Sequence, residues 1–136
     1  MMVKDLVQKH FELGAQFSEE IYPKLNEMYV ANEITGGALC YVYCLWEEHS
    51  YKKLSEMIGK AHTKLSRTGK YDLSQAYNDV AKKWDWEYHV REEEKFLQKC
   101  RDLIASERVT CPVCGNVHVV NMPCRVCLQN EQKEAE

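Results

Sequence analysis

The sequence lacks any long hydrophobic run. No stretch of its 136 residues approaches the roughly 18 apolar residues that indicate a membrane-spanning helix. The N-terminal segment interleaves charged with apolar residues, whereas a signal peptide carries an uninterrupted apolar core. These absences predict a soluble protein of the reducing cytoplasm that makes no contact with a membrane.

An excess of positive charge is also missing. The 18 Lys and Arg residues are outnumbered by 21 Asp and Glu residues, which gives a formal net charge of −3. Overall charge therefore provides no attraction to nucleic acid or anionic lipid. The sequence contains neither a glycine-rich phosphate loop nor a nucleophile elbow. His89 lies four residues from both Asp85 and Glu93, but ordinary i,i+4 pairing along a helix explains this spacing. We predict no catalytic residues.

Two CxxC motifs near the C-terminus are the most specific feature of the chain. They are Cys111-Pro-Val-Cys114 and Cys124-Arg-Val-Cys127, and nine residues separate them. Since a CxxC turn directs two thiolates at one point, two such turns supply the four ligands of a tetrahedral Zn²⁺ site. Iron binds the same ligand set. Gly115, directly after the first motif, is expected to adopt a positive φ.

The first 106 residues have the periodicity of helices. Their apolar residues recur at spacings of three and four. The three predicted long helices run from Val3 to Pro23 or beyond it, from about Ala38 to Leu65, and from Asp72 or Ser74 to about Ser106. Long helices joined by short turns pack as antiparallel bundles. We therefore predict a mainly α fold, an antiparallel bundle of three to four helices.

A change of composition at Arg108 marks a second part of the chain. The valines that follow favour short strands, so we predict a small C-terminal β-ribbon stapled by the metal. The last residues are polar and are expected to fray. The predicted organisation is a helical bundle at 1–107, a metal-binding ribbon at 108–128 and a disordered tail at 129–136.

The segment CPVCGNVH…PCRVC resembles zinc ribbons and rubredoxin-like knuckles. A helical bundle before such a knuckle is similar to the layout of rubrerythrins, and that resemblance implies a di-iron site in the bundle. A di-iron site of this kind needs Glu-x-x-His pairs on two of the helices. The residues three positions before the helical histidines are Val7, Trp46, Gly59 and Trp86. None of them is Glu, so a rubrerythrin-like iron redox protein is our second alternative rather than our prediction.

Three cysteines and one histidine remain outside this ligand set. Cys40 and Cys44 are one helical turn apart, which leaves open a second metal or redox pair. Because their neighbours are apolar and free cysteine behaves as a small hydrophobe, we predict that both pack in the core. We expect the same of Cys100. His118 lies between the CxxC motifs, and we expect it on the ribbon surface rather than among the ligands.

A basic stripe is predicted on the second helix, where Lys60, Lys64 and Arg67 align along one face. It is either a solvated face whose charge suits the C-terminal end of a helix or a surface for phosphate or an acidic partner. The second interpretation gives our first alternative function, a protein that associates with nucleic acid through this stripe.

The ribbon itself does not have the composition of a nucleic-acid binder. Between Thr110 and Leu128 its only Lys, Arg, Asp or Glu is Arg125, and it has no Phe, Trp or Tyr. Phosphate contacts need several Lys or Arg residues, and base stacking needs aromatic side chains. Its apolar edge instead favours docking on a partner protein, on the bundle or on a second copy of the chain. We predict Val119 and Met122 as contact residues.

Trp84 and Trp86 are predicted to lie about 200° apart around one helix, so they cannot share a core-facing seam. We predict that Trp86 contacts a partner, because exposed tryptophan often anchors interfaces. Together these patterns favour a non-enzymatic, zinc-binding protein–protein interaction module, an adaptor or regulatory protein. They also make a homodimer an expected assembly.

Overall fold

The computed structural model describes residues 2–69 and 71–135, with side chains described up to residue 131. The elements in chain order are α1 (Val3–Gln16), the π-helical turn π1 (Phe17–Ile21), α2 (Tyr22–Val30), α3 (Gly36–Glu47), the π-helical turn π2 (Glu48–Lys52), α4 (Lys53–Arg67), α5 (Leu73–Lys83), α6 (Trp86–Ile104), β1 (Arg108–Thr110), β2 (Val117–Val119) and α7 (Arg125–Ala135). The predicted mainly α class with a small C-terminal sheet is confirmed.

The helices form three rods in an up–down–up bundle. The first rod is α1-π1-α2, the second is α3-π2-α4, and α5 with α6 makes the third. Phe17 stacks on Trp46, with ring centroids 4.6 Å apart, while Tyr22 meets Tyr43 earlier in the second rod. The first two rods are therefore antiparallel. His10 pairs with Glu93 and Gln16 with Arg101, so that the first and third rods run parallel.

The π-helical turns keep residues at a strict spacing of four on the buried side. Leu13, Phe17, Ile21 and Leu25 are all buried, although residues four apart drift around a regular α-helix of 3.6 residues per turn. The wider π1 turn cancels this drift because its hydrogen bonds span five residues instead of four. Pro23 falls in the first turn of α2, where proline is tolerated. The rod therefore continues through this proline.

The third rod is broken at Trp84 and Asp85, which corrects the prediction of one helix from about residue 72 to 106. Trp84 is extended, with ψ at 137°, and the Asp85 carboxylate accepts a hydrogen bond from the amide of Tyr88 at 3.1 Å. Asp85 is thus the N-cap of α6. Asp72, one of the two predicted starts of this helix, caps α5 in the same way and accepts from the amide of Ser74 at 2.9 Å.

The C-terminal ribbon is an antiparallel pair of strands in which Val109 lies opposite His118. Helix α7 begins at Arg125, inside the second CxxC motif, and runs to Ala135. Residues 129–135 of the predicted disordered tail belong to this helix, and Glu136 lies outside the described residues. None of the described helices is both long enough and apolar enough to span a membrane.

Candidate metal centre

The four sulfurs of the CxxC motifs converge on one point. Cys111 Sγ lies 3.6 Å from Cys127 Sγ, and Cys114 Sγ lies 3.5 Å from Cys124 Sγ. In a tetrahedral site with Zn–S distances of about 2.3 Å, sulfurs lie about 3.8 Å apart. The cysteines are free rather than paired in disulfides. The arrangement is thus a four-cysteine cluster that can hold a metal ion, and zinc and iron both satisfy its chemistry.

Backbone amides favour the thiolate at the first cysteine of each motif. The amide of Cys114, with help from that of Val113, lowers the pKa of Cys111. The amide of Cys127 lowers the pKa of Cys124 to about 6. Hydrogen bonding to Cys111 instead raises the pKa of Cys127 to about 12. Since a metal binds the thiolate form, the two turns prepare one ligand each.

The conformation of each turn follows from its sequence. Gly115 has φ at 78°, as predicted, and its amide donates to the carbonyl of Cys111 at 2.9 Å. The Cys111 amide in turn donates to the carbonyl of Asn116 at 2.7 Å. Asn121, in the return between the motifs, has φ at 62°, a value that asparagine tolerates better than most residues. These turns set the direction of the sulfurs.

The ribbon is anchored to the loop between α2 and α3. The side-chain amide of Asn116 donates to the carbonyl of Asn32 at 2.8 Å and also lies 3.6 Å from Cys124 Sγ. The amide of Val119 donates to the carbonyl of Glu33 at 2.9 Å. One side chain therefore joins the four-cysteine cluster to the helical body.

Two arginines complete this anchorage. The guanidinium of Arg125, within the second CxxC motif, lies 3.8 Å from the ring centroid of Tyr29 and donates to the carbonyl of the same residue. Arg108 donates to the carboxylate of Glu33 at 3.2 Å. The only charged residue of the CxxC region is thus used for attachment to the chain's own bundle.

The predicted partner contacts Trp86 and Val119 need correction, because both side chains are buried within the chain. Trp86 is 2% exposed and Val119 is 1% exposed. Trp86 belongs to the core beside α1 and its indole N–H donates to the carbonyl of Ala81 at 2.9 Å. Val119 faces the bundle, against which the partly buried Met122 also packs. The ribbon therefore contacts the bundle of its own chain, one of the three occupants considered for its edge.

The expected positions of the other cysteines are partly wrong. Cys100 is buried as predicted, and burial raises the pKa of its thiol to about 11. Cys40 and Cys44 are exposed on α3 instead of packing in the core. His118, expected on the ribbon surface, is buried, with Nδ1 2.9 Å from the carbonyl of Val119. It is not a member of the four-cysteine cluster.

Lys60, Lys64 and Arg67 are all exposed on α4. The structure places them side by side, as their spacing predicts, and far along the chain from the four-cysteine cluster. Whether they bind a partner stays a prediction.

A second cluster of ionisable residues was not recognised in the sequence. His10 on α1 lies with Nδ1 2.8 Å from Oε1 of Glu93 on α6. His89, one turn before Glu93, lies with Nε2 3.2 Å from the same oxygen. Burial lowers the pKa of His89. The i,i+4 spacing that suggested ordinary charge pairing thus belongs to an interior cluster, and the partner from α1 is 83 residues away from Glu93.

Comparison with protein-family models, curated proteins and solved structures gives no significant match.

Proposed function

We propose that the protein is a zinc-binding protein-interaction module, in which the four-cysteine cluster is structural and α3 binds the protein partner. Four thiolates complete a tetrahedral shell and leave no position for a substrate. Zn²⁺ suits this role, because it has no redox chemistry of its own. The protein purified without added metal is expected to be colourless and zinc-loaded, whereas a coloured, iron-loaded protein would favour the redox alternative.

The observation that supports the interaction role is an exposed, largely apolar surface of α3, which we call the α3 face. Its members are Cys40, Tyr41, Tyr43 and Cys44, all of them exposed. No charged residue occurs between Glu33 and Glu47. Contiguous exposed apolar surfaces mark interaction sites, and tyrosine is enriched in them. This face replaces Trp86 and Val119 as the candidate partner surface.

A second copy of the chain is the partner that fits the α3 face best. A twofold symmetric dimer places the same surface on both sides, and an uncharged centre creates no repulsion between the copies. In an antiparallel pair of α3 helices centred on Val42, Cys40 of one copy faces Cys44 of the other. Glu47 of each copy then approaches the free amides at Gly36 and Gly37, where a helix N-terminus favours negative charge.

The substitution Cys44→Arg is expected to convert a dimer into a monomer, because it places two like charges at the centre of the symmetric interface. Light scattering coupled to size-exclusion chromatography measures the mass directly. Leu73→Arg is the matched control, since Leu73 is also an exposed apolar residue but lies on α5. It should leave the dimer intact. A wild-type protein that is monomeric at micromolar concentration would contradict the second copy as partner.

Cross-linking provides a check on the geometry of this dimer. Mild oxidation should join Cys40 of one copy to Cys44 of the other, and the product should disappear in Cys40→Ser. A cross-link that instead joins two Cys44 residues would exclude the antiparallel pairing centred on Val42 while leaving the α3 face as the interface.

The exposed positions of Lys60, Lys64 and Arg67 favour a second candidate function, binding of nucleic acid through α4. Phosphate contacts make affinity fall steeply with salt. If this candidate is right, Lys60→Glu with Lys64→Glu removes salt-dependent binding to a duplex oligonucleotide, and Cys44→Arg does not. If the interaction module is right, the double variant dimerises like the wild type.

A further inference from the structure

Three metal-binding side chains outside the four-cysteine cluster converge in the interior of the bundle. His10 comes from α1, and His89 and Glu93 come from α6. One donor atom from each lies within 4.8 Å of the other two. We infer that these residues form a second metal site, which holds one divalent first-row transition-metal ion such as Zn²⁺ or Fe²⁺.

The distances fit such an ion. Nδ1 of His10 and Nε2 of His89 lie 2.8 Å and 3.2 Å from Oε1 of Glu93. Ligand atoms at metal distances of about 2.0–2.2 Å lie about 3.3–3.6 Å apart in a tetrahedral shell. The His89–Glu93 distance of 3.2 Å is already close to this range, and the His10–Glu93 distance of 2.8 Å has to widen by about 0.5–0.8 Å to reach it.

The orientation of the His89 ring favours a metal site over a triad held together only by hydrogen bonds. Its Nε2 is buried and, among the described residues, has no hydrogen-bond partner, although Oε1 of Glu93 is only 3.2 Å away. The ring is thus not aimed at that oxygen. Buried polar groups without a partner are rare, and an ion held between His10, His89 and Glu93 would give this nitrogen the partner that it lacks. His89 is 7% exposed, so bulk water does not provide the missing partner.

The carboxylate is held in place from the second rod. Glu93 is 0% exposed, and its Oε2 accepts a hydrogen bond from Ser50 Oγ at 3.0 Å. Ser50 lies in π2, whose wide turn keeps it on the buried side between Trp46 and Leu54. This bond leaves Oε1 facing both histidines. Ser50 is therefore a positioning residue for the metal ligand.

The ligand set leaves one coordination position open. Two histidines and one carboxylate are the protein ligands of several zinc and non-haem iron sites, in which water or a small ligand completes the shell. His89 also lines a cleft of about 400 Å³, and Trp84 lines the same cleft with an indole N–H that is buried without a partner among the described residues. This N–H is thus a donor available to a small oxygen-containing ligand in the cleft.

Metal counting tests the inference on the full chain. Protein from zinc-supplemented cells is expected to hold about two zinc ions per chain, one in the four-cysteine cluster and one in this site. Glu93→Gln and His10→Gln should each reduce the count to about one. His49→Gln is the matched control, because His49 lines the same cleft but is not in the cluster. Its count should equal that of the wild type.

Three further measurements keep the result interpretable if the Glu93 or His10 variant fails to fold. In the cobalt-loaded wild type, the second ion should contribute d–d absorption without additional thiolate charge transfer. In the zinc-loaded wild type, imidazole ¹⁵N spectra should show Nδ1 of His10 and Nε2 of His89 shifted to metal-bound values. Ser50→Ala should weaken binding of the second ion by about 10–100-fold, as loss of a supporting hydrogen bond does. One zinc per chain with unshifted imidazole resonances would overturn the inference.

Discussion

Removal of the ion from the four-cysteine cluster is expected to unfold the C-terminal ribbon while the helical bundle stays folded. Two strands of three residues each cannot hold together alone, and a structural zinc ion contributes about 10–16 kcal/mol in small zinc-binding peptides. The bundle has its own core in the three rods. Release of Val119 from that core should cost the bundle about 1.5–3 kcal/mol, less than the roughly 5–15 kcal/mol by which a typical folded protein is stable.

Amide hydrogen exchange distinguishes the two parts. After chelation, the amides of Val119 and Val120 should lose protection, because their acceptors at Glu33 and Glu107 are held in register by the four-cysteine cluster. Circular dichroism should retain most of its helical signal. Cys111→Ser with Cys124→Ser should reproduce this state in the presence of metal.

The exposed cysteines of α3 provide the control for this result. Cys40→Ser with Cys44→Ser removes the same number of thiols but no member of the four-cysteine cluster, so the protection of Val119 should remain. If the amides of a demonstrably metal-free protein exchange as slowly as those of the loaded protein, the cluster does not hold the ribbon.

The sequence could predict those features that depend on residues close together along the chain. The four-cysteine cluster follows from two turns of four residues, and the positive φ of Gly115 follows from its position after the first turn. The cap at Asp72 is likewise local. The break at Asp85 had a comparable signal, since two tryptophans that cannot share one face are compatible with an interrupted helix.

The remaining features depend on which surfaces meet in three dimensions. α3 is apolar around most of its circumference, so its composition could not indicate that Cys40 and Cys44 lie outside. His10 and Glu93 meet only because the first and third rods are parallel neighbours. The contact of the ribbon with the bundle is also tertiary, since Asn116 and Asn32, which join the two, are 84 residues apart in the sequence.

The substitution Trp86→Ala is expected to destabilise the protein by about 3–5 kcal/mol, the usual cost of removing a large buried aromatic side chain. The ring lies 5.6 Å from His10 and 5.8 Å from His89, and its N–H bonds to Ala81, so truncation leaves both a cavity and an unpaired carbonyl. Against a typical total of about 5–15 kcal/mol, this loss brings the protein close to unfolding. Urea denaturation followed by circular dichroism measures it.

Two variants decide between this core role and a role of Trp86 in partner binding. Trp86→Phe keeps most of the ring but loses the hydrogen bond, so it should cost about 1–2 kcal/mol. Tyr88→Ala, two residues along α6 and 55% exposed, should change the free energy of unfolding by less than about 1 kcal/mol. If Trp86→Ala instead unfolds at the wild-type urea concentration but no longer dimerises, the indole contacts a partner and its buried position is not the one it occupies in the assembly. Loss of a core tryptophan lowers the free energy of unfolding, whereas loss of an interface tryptophan lowers dimerisation. Measuring both therefore assigns Trp86 even if the partner is not identified.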